Sequence, residues 1–209
     1  MALTHVRTFR VRHYECDVHG QVNNANYLRY MQEAAFDASA AAGYDMARYE
    51  ALGCHWLVRE TEVQYLHPLQ YGDSVDVKTW VTDFRRVRSR RAYELRNSHS
   101  GELVAQGMTD WVYLDSEKLR PVPIPGEMKA AFFPDGPPAI VPPRSRFPCP
   151  APVSQKVYYQ RRRVEWRDLD PAQHVNNAVY LAYIEDCTVQ VGIAQDCIAQ
   201  VSYAEIGLA

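Results

Sequence analysis

Nothing in this 209-residue chain approaches the roughly 20 consecutive apolar residues that a membrane-spanning helix requires. Residues 1–12 lack the apolar core of a secretory signal, so the expected location is cytoplasmic, with no membrane partner. The cysteines are few and poorly arranged: Cys16, Cys54, Cys149, Cys187 and Cys197 are odd in number, scattered, and never form a C-x-x-C pair. That pattern argues against a disulfide framework and against a zinc knuckle. Excess charge is missing too, because a net charge of −2 gives no global reason to expect nucleic acid. Lysine is scarce, and 19 of the 23 basic residues are arginine. With 47% hydrophobic and 23% charged residues the composition is that of an ordinary globular protein able to bury a core.

Residues 5–12 alternate polar with apolar or β-branched side chains at period two, which predicts a strand with one wet face. A polar turn over 15–24 follows. Tyr27, Tyr30, Met31, Ala34, Ala38, Ala41 and Ala42 then recur at spacings of three and four, one apolar stripe along an α-helix. Asn23 or Asn24 is its expected N-cap and Gly43 its expected stop. Four strand-like stretches come next, over 54–66, 74–84, 89–97 and 103–115, separated by turn signals and expected in hairpin succession. The plan is α+β, a long helix wrapped by an antiparallel sheet. Eight of the thirteen prolines fall within 134–152, which predicts a stiff linker between a complete domain over 1–133 and a second one over 153–209.

Beyond the linker the beginning of the chain recurs. The segment 10–30 aligns without gaps on 163–183 at a constant offset of 153 residues, sharing Asp, Val-Asn-Asn-Ala, Tyr-Leu and a final Tyr. This is an internal repeat. By the same offset Cys54 maps onto Gly207, so the second copy is expected to hold a first strand and a helix only. Its stripe of Tyr180, Tyr183, Ile184, Cys187, Val191 and Ala194 should dock on the first domain or on a partner chain, and its Asp170/His174 motif should not form a complete second active site.

The repeated motif, D-x-x-x-x-V-N-N-A-x-Y, sets an aspartate six residues before an asparagine-capped helix. A carboxylate then lies beside a helix N-terminus, where N–H groups can receive a developing oxyanion. The same residues also suit a plain turn and cap. The segment 14–27, Tyr-Glu-Cys-Asp-Val-His-Gly-Gln-Val-Asn-Asn-Ala-Asn-Tyr, closely resembles the signature of the 4-hydroxybenzoyl-CoA thioesterase-like branch of the hotdog superfamily. Residues 65–73 and 120–125 resemble that family's later segments, so the likeness spans about 4–130. It implies a hotdog fold, Asp17 as nucleophile or general base, and backbone amides over Asn23, Asn24, Ala25 and Tyr27 that polarise a thioester carbonyl. The second copy, over 168–177, is similar to the catalytic segment of acyl-ACP thioesterases, which carry two tandem hotdog units; Asp170 and His174 match, whereas Ala172 stands where that family has asparagine.

His19, two residues from the candidate carboxylate, is a further catalytic candidate that could orient water. The remaining His5, His13, His55, His67 and His99 show no metal-ligand spacing and read as structural. Arg85, Arg86, Arg88, Arg90 and Arg91 crowd one strand junction. Their default reading is a solvated edge that discourages aggregation. Arg86, Arg88, Ser89 and Arg90 would alternatively receive the phosphates of coenzyme A or the acidic face of an acyl carrier protein. The resemblance thus implies acyl thioester hydrolysis without metal or redox cofactor, in a homo-oligomer such as a dimer or tetramer. An enoyl-CoA hydratase using Asp170 with His174, or a non-catalytic acyl-CoA-binding module, are the alternatives.

Overall fold

In a computed structural model, residues 2–137, 157–193 and 198–199 are described. The chain divides into two compact units, Met1–Pro143 and Arg144–Ala209. The first unit begins with β1 (Thr4–Arg10), where exposed and half-buried side chains alternate as the sequence pattern requires. Helix α1 (Asn24–Ala41) carries the predicted stripe, with Tyr27, Tyr30, Met31, Ala34 and Ala38 all buried. Asn23 caps it by accepting from the Ala25 N–H, and the helix gives out at Ala42. A short α2 (Met46–Ala51), capped by the Asp45 side chain, escapes the periodicity reading because six residues are too few to show a stripe. Strands β2 (Cys54–Tyr65), β3 (Ser74–Phe84), β4 (Arg88–Asn97) and β5 (Leu103–Asp115) follow, then α3 (Gly126–Phe132).

The strand order is β1-β3-β4-β5-β2, antiparallel throughout. This corrects the expected hairpin succession at its first link, since β2 pairs with β5 at one edge while β3 pairs with β1 near the other. The connection from β2 to β3 crosses the start of α1 instead of turning back tightly. It is pinned there by Leu69, whose N–H donates to Tyr27 Oη (3.1 Å) and whose carbonyl accepts from the Val22 N–H (2.8 Å).

One face of the sheet closes on α1. Met31, Tyr30, Ala34 and Ala35 pack with Val75, Val77, Tyr93, Leu95 and Val104, while Tyr44, Tyr49, Tyr113, Met128 and Phe132 form a second cluster. Full burial of a large apolar side chain here contributes about 1.5–3 kcal/mol. Gly107 on β5 is flanked so closely that a Cβ there would sit 2.8 Å from the Glu62 carbonyl oxygen of neighbouring β2 and 2.9 Å from Met31 Cε of α1. Only glycine fits at that crossing.

β4 is the central strand, so the reading of the arginine run as a solvated edge does not hold. Arg85 and Arg86 are exposed in the turn before β4, Arg88 is half-buried, and Ser89, Arg90 and Arg91 are buried.

In the second unit the counterpart of β1 is cut to β6 (Val157–Tyr158), which pairs in parallel with β7 (Ile198–Ala199). A strand persists only where a neighbour takes up its backbone groups, and among the described residues β6 has two residues of such a neighbour, against the seven paired positions that β3 gives β1. Helix α4 (Asn177–Ile193) matches the predicted second helix, with Tyr180, Tyr183, Ile184 and Cys187 half-buried. The expected linker lies, from residue 138 on, outside the described residues, as do Cys149, Cys197, Ala194 and the Val191 side chain. Cys16, Cys54 and Cys187 are free thiols. Among the described residues no helix is long and apolar enough to cross a membrane.

Candidate active site

The turn before α1 is built around two carboxylates with different tasks. Glu15 ends a 3-10 turn (His13–Glu15) and is buried. Its Oε2 accepts from the Arg12 N–H and from Tyr30 Oη, both at 2.7 Å. Its carbonyl accepts from the Asn23 N–H (2.9 Å) and from Asn26 Nδ2 (2.8 Å). The side chain thus ties the loop to the helix it feeds. Burial, followed by the bond to Glu15, pushes the Tyr30 hydroxyl far above the ordinary tyrosine range, so it remains a donor at any physiological pH.

Asp17 stands two residues on, exposed. Its Oδ1 accepts from the backbone N–H of His19 (2.8 Å) and of Gln21 (3.1 Å). The turn closes with Asp17 N–H to Gln21 O (2.7 Å) and Gly20 N–H to Asp17 O (3.0 Å). Oδ2 has no hydrogen-bond partner among the described residues. One carboxylate oxygen is therefore held and the other is open.

The helix start is partly occupied by its own cap. Asn23 Oδ1 takes the Ala25 N–H (3.0 Å) and Asn23 O takes the Asn26 N–H (2.9 Å). Asn24 is exposed, and its carbonyl accepts from Tyr65 Oη (3.2 Å). Ala25 and Tyr27 are buried; the Tyr27 hydroxyl, raised by burial, holds the Leu69 crossover, and its ring meets Tyr65 edge-on at 5.2 Å. His19 is exposed, joined to Asp17 through its backbone alone.

The turn thus gathers Asp17, His19, Asn23, Asn24, Ala25 and Tyr27. The arginine segment stands apart on β4 and the turn before it, and no hydrogen bond or ion pair among the described residues joins it to the Asp17 turn. Arg90 faces Glu62 (3.7 Å) and Asp110 (3.8 Å), so its charge is met within the sheet. Arg86 and Arg88 pair with no carboxylate among the described residues. Ser89 lies buried opposite Trp111.

In the second unit the same turn is rebuilt 153 residues on. Asp170 Oδ1 accepts from the N–H of Ala172 (3.0 Å) and of His174 (3.2 Å), and Asn176 Oδ1 caps by accepting from Ala178 (3.0 Å). Tyr183 Oη donates to Asp168 Oδ2 at 2.5 Å. That bond comes first among the causes holding the Asp168 carboxyl below the usual carboxylate range. Burial and the Asp168 bond push the Tyr183 hydroxyl up to about 12. Asp170 and His174 therefore come together through backbone, and the His174 Nδ1 is buried with no partner among the described residues.

Sequence reasoning missed Glu15, Tyr30 and their counterparts Asp168 and Tyr183. The signal was present, since the 153-residue offset superposes acid on acid and tyrosine on tyrosine.

The family model of the thioesterase-like superfamily matches residues 11–132, and that of the acyl-ACP thioesterase C-terminal domain matches residues 153–203. The chain is 25% identical over 197 residues to a chloroplastic palmitoyl-acyl carrier protein thioesterase of Cuphea hookeriana, covering 87% of this chain and 46% of that protein. It is 28% identical over 116 residues to a putative acyl-CoA thioesterase of Bacillus subtilis, covering 56% and 83%. The chain spans about half the length of the plant relatives it matches. A crystal structure of a putative oleoyl thioesterase from Lactobacillus plantarum superposes with a TM-score of 0.76 at 21% identity, covering 88% of this chain and 70% of that one, a likeness of hotdog fold. With the five-stranded antiparallel sheet around α1 and a family match across more than half its length, the chain belongs to the thioesterase-like superfamily.

Proposed function

We propose that the protein hydrolyses acyl thioesters of coenzyme A or of an acyl carrier protein, with Asp17 as the reacting carboxylate. The observation that carries this reading is the division of labour within Asp17: Oδ1 is fixed by two backbone N–H groups while Oδ2 is open at an exposed position beside the start of α1. As a general base Oδ2 takes a proton from water, whose oxygen adds to the thioester carbonyl; the C–S bond then breaks and the departing sulfur collects the proton. As a nucleophile the same atom adds to the carbonyl carbon and expels the thiolate, which takes up a proton from solvent, and water then cleaves the mixed anhydride to free acid and the restored Asp17 carboxylate. Either course yields an acid and a thiol. The positive end of the α1 dipole favours the oxyanion.

Arg86 and Arg88 are the residues of the arginine run suited to the carrier's phosphates, because Arg90 already has carboxylate neighbours. β1 and β2 each have one strand neighbour among the described residues, so a second copy can pair along an edge and form a homo-oligomer. Free thiols at Cys16, Cys54 and Cys187 suit a reducing compartment such as the cytoplasm. A hydratase would need the Asp170 carboxylate and the His174 ring to act together, whereas Asp170 Oδ1 meets the His174 backbone, which favours hydrolysis.

The test is release of free thiol from a panel of acyl-CoAs and acyl carrier protein thioesters by the purified chain. Hydration of an enoyl-CoA, or binding without thiol release, would overturn the reading.

A further inference from the structure

Arg91 lies on the face of β4 that packs toward α1, two residues from Tyr93 and so on the same side of the sheet. It is 5% exposed. Among the described residues its guanidinium has one hydrogen bond, Nη1 to Thr79 Oγ1 at 3.4 Å, and it lies 5.6 Å from the Phe132 ring centre. No carboxylate among the described residues comes within ion-pair distance of it. A guanidinium cannot shed its proton to escape a buried site, so an unmatched one is costly. Burial is the first cause pulling Arg91 below its ordinary value. This sets it apart from Arg90 next to it, which faces Glu62 and Asp110.

The groups around Arg91 deepen the imbalance. Tyr93 and Tyr49 lie within its electrostatic reach, and Trp111 flanks Thr109, the residue opposite Arg91 across β5. Tyr49 Oη, Tyr93 Oη and Trp111 Nε1 are all buried; Tyr93 has Thr109 and Trp111 as its polar neighbours and Tyr49 has Ser39 and Trp56, but none of these approaches closes to hydrogen-bond geometry. The cluster therefore holds a permanent cation, an indole donor and two hydroxyl donors, and Thr79 Oγ1 already spends its own proton on Ala92 O. Such a donor-rich set is complementary to a group that only accepts and carries negative charge.

We propose that Arg91, with Tyr49, Tyr93 and Trp111, forms a recessed receptor for the carboxylate of an aliphatic acid. The inference deepens the acyl-thioester reading and rests on it for the source of the ligand. Arg91 lies toward the C-terminal end of α1, between Tyr49 and Phe132, whereas Asp17 precedes its N-terminus. The two positions thus lie toward opposite ends of the 18-residue α1. A carboxylate that reaches Arg91 while a thioester sits at Asp17 therefore belongs to the far end of a long acyl chain. A free fatty acid, the product of hydrolysis, offers the same chemistry from the other source.

The 209-residue chain is titrated by calorimetry with hexadecanedioate, palmitate and hexadecanol, and hydrolysis of ω-carboxypalmitoyl-CoA is compared with that of palmitoyl-CoA. The expected result is binding of the acids at least about tenfold tighter than the alcohol, the scale of a charge-assisted hydrogen bond. Arg91→Met removes that preference and Arg91→Lys keeps part of it. A kcat/KM ratio above about ten in favour of the ω-carboxy thioester, lost in Arg91→Met, identifies the far end of the substrate as the ligand. A ratio near unity with Arg91-dependent palmitate binding identifies the free acid. Equal affinity for acid and alcohol, or acid binding undiminished in a folded Arg91→Met, overturns the receptor. Should Arg91→Met fail to fold, the wild-type acid-to-alcohol ratio and Arg91→Lys decide. Absence of turnover on both thioesters counts against the hydrolysis reading alone, because the binding arms do not depend on it.

Discussion

The turns around Asp17 and Asp170 are bonded almost alike, and their surroundings differ. In both, the aspartate N–H reaches the carbonyl four residues on, Oδ1 gathers the N–H groups two and four residues on, and an asparagine caps the helix. Each turn is also tied to its helix by a tyrosine on a carboxylate, Tyr30 on Glu15 and Tyr183 on Asp168. Yet α1 has a five-stranded sheet around it and buries Glu15, whereas Asp168 is half-buried. The motif writes its own local geometry. That geometry alone does not separate a reacting site from a scaffold, and the difference must come from what surrounds it.

The sharpest way to break the comparison is to remove each carboxylate. Asp17→Asn keeps an Oδ1 to receive the His19 and Gln21 N–H groups, so the turn should persist, while the base or nucleophile is gone. Turnover should fall by at least about two orders of magnitude. Asp170→Ala should leave thiol release within about threefold of wild type, far below the effect of losing a catalytic group. A steady-state assay showing the reverse pattern would move the chemistry to the second unit.

How much of this was legible in the sequence depends on whether the information was local. Period-two alternation located β1, the three- and four-residue spacing located α1, and turn signals bounded the four later strands, because each signal is carried by neighbouring residues. The order of the strands was not legible, since the crossover from β2 to β3 is decided by Leu69 meeting Tyr27 and Val22, contacts between distant segments. Arg90 and Arg91 were misjudged for the same reason: alternation says that two arginines point opposite ways, but not that both sides of a central strand are covered. Asp17 and the asparagine cap were readable because the turn is self-contained. Glu15 and Tyr30 lie fifteen positions apart, and only overlaying the two copies would have paired them.

A smaller effect separates the two tyrosine tethers. Tyr30→Phe takes a donor from a buried carboxylate, and hydrogen bonds to charged groups contribute about 1.5–3 kcal/mol, so the first unit should unfold at a clearly lower denaturant concentration. Tyr183→Phe should show itself in titration. Asp168 is held below its usual range in the folded state, so its contribution is complete above the ordinary value of about 3.9 and is lost as pH falls through the depressed one. Without the Tyr183 hydroxyl that protonation should move up toward the ordinary value, as followed by carboxyl NMR. An unmoved Asp168 would mean that the tether is not what holds it down.

The smallest expected effect concerns the residue at the tip of each turn. Gly20 has φ +77°, and its counterpart Gln173 holds φ +62°, the same left-handed region without glycine's freedom. Nothing lies within 4 Å of a Cβ built on Gly20, so Gly20→Ala meets no clash and should cost the left-handed penalty of about 1–2 kcal/mol less the roughly 0.5–1 kcal/mol returned by the unfolded chain's smaller freedom. Gln173→Gly relieves the same strain, but glycine's extra freedom in the unfolded chain takes back about 0.5–1 kcal/mol. The net gain should therefore be at most about 1.5 kcal/mol. Amide exchange at Asp17 and Gln21 should speed up in Gly20→Ala, while exchange at Asp170 and His174, the matching bonded amides, should slow slightly in Gln173→Gly. If both substitutions shifted exchange in the same direction, the two tips would not be equivalent, and the correspondence between the two turns would end at their hydrogen bonds.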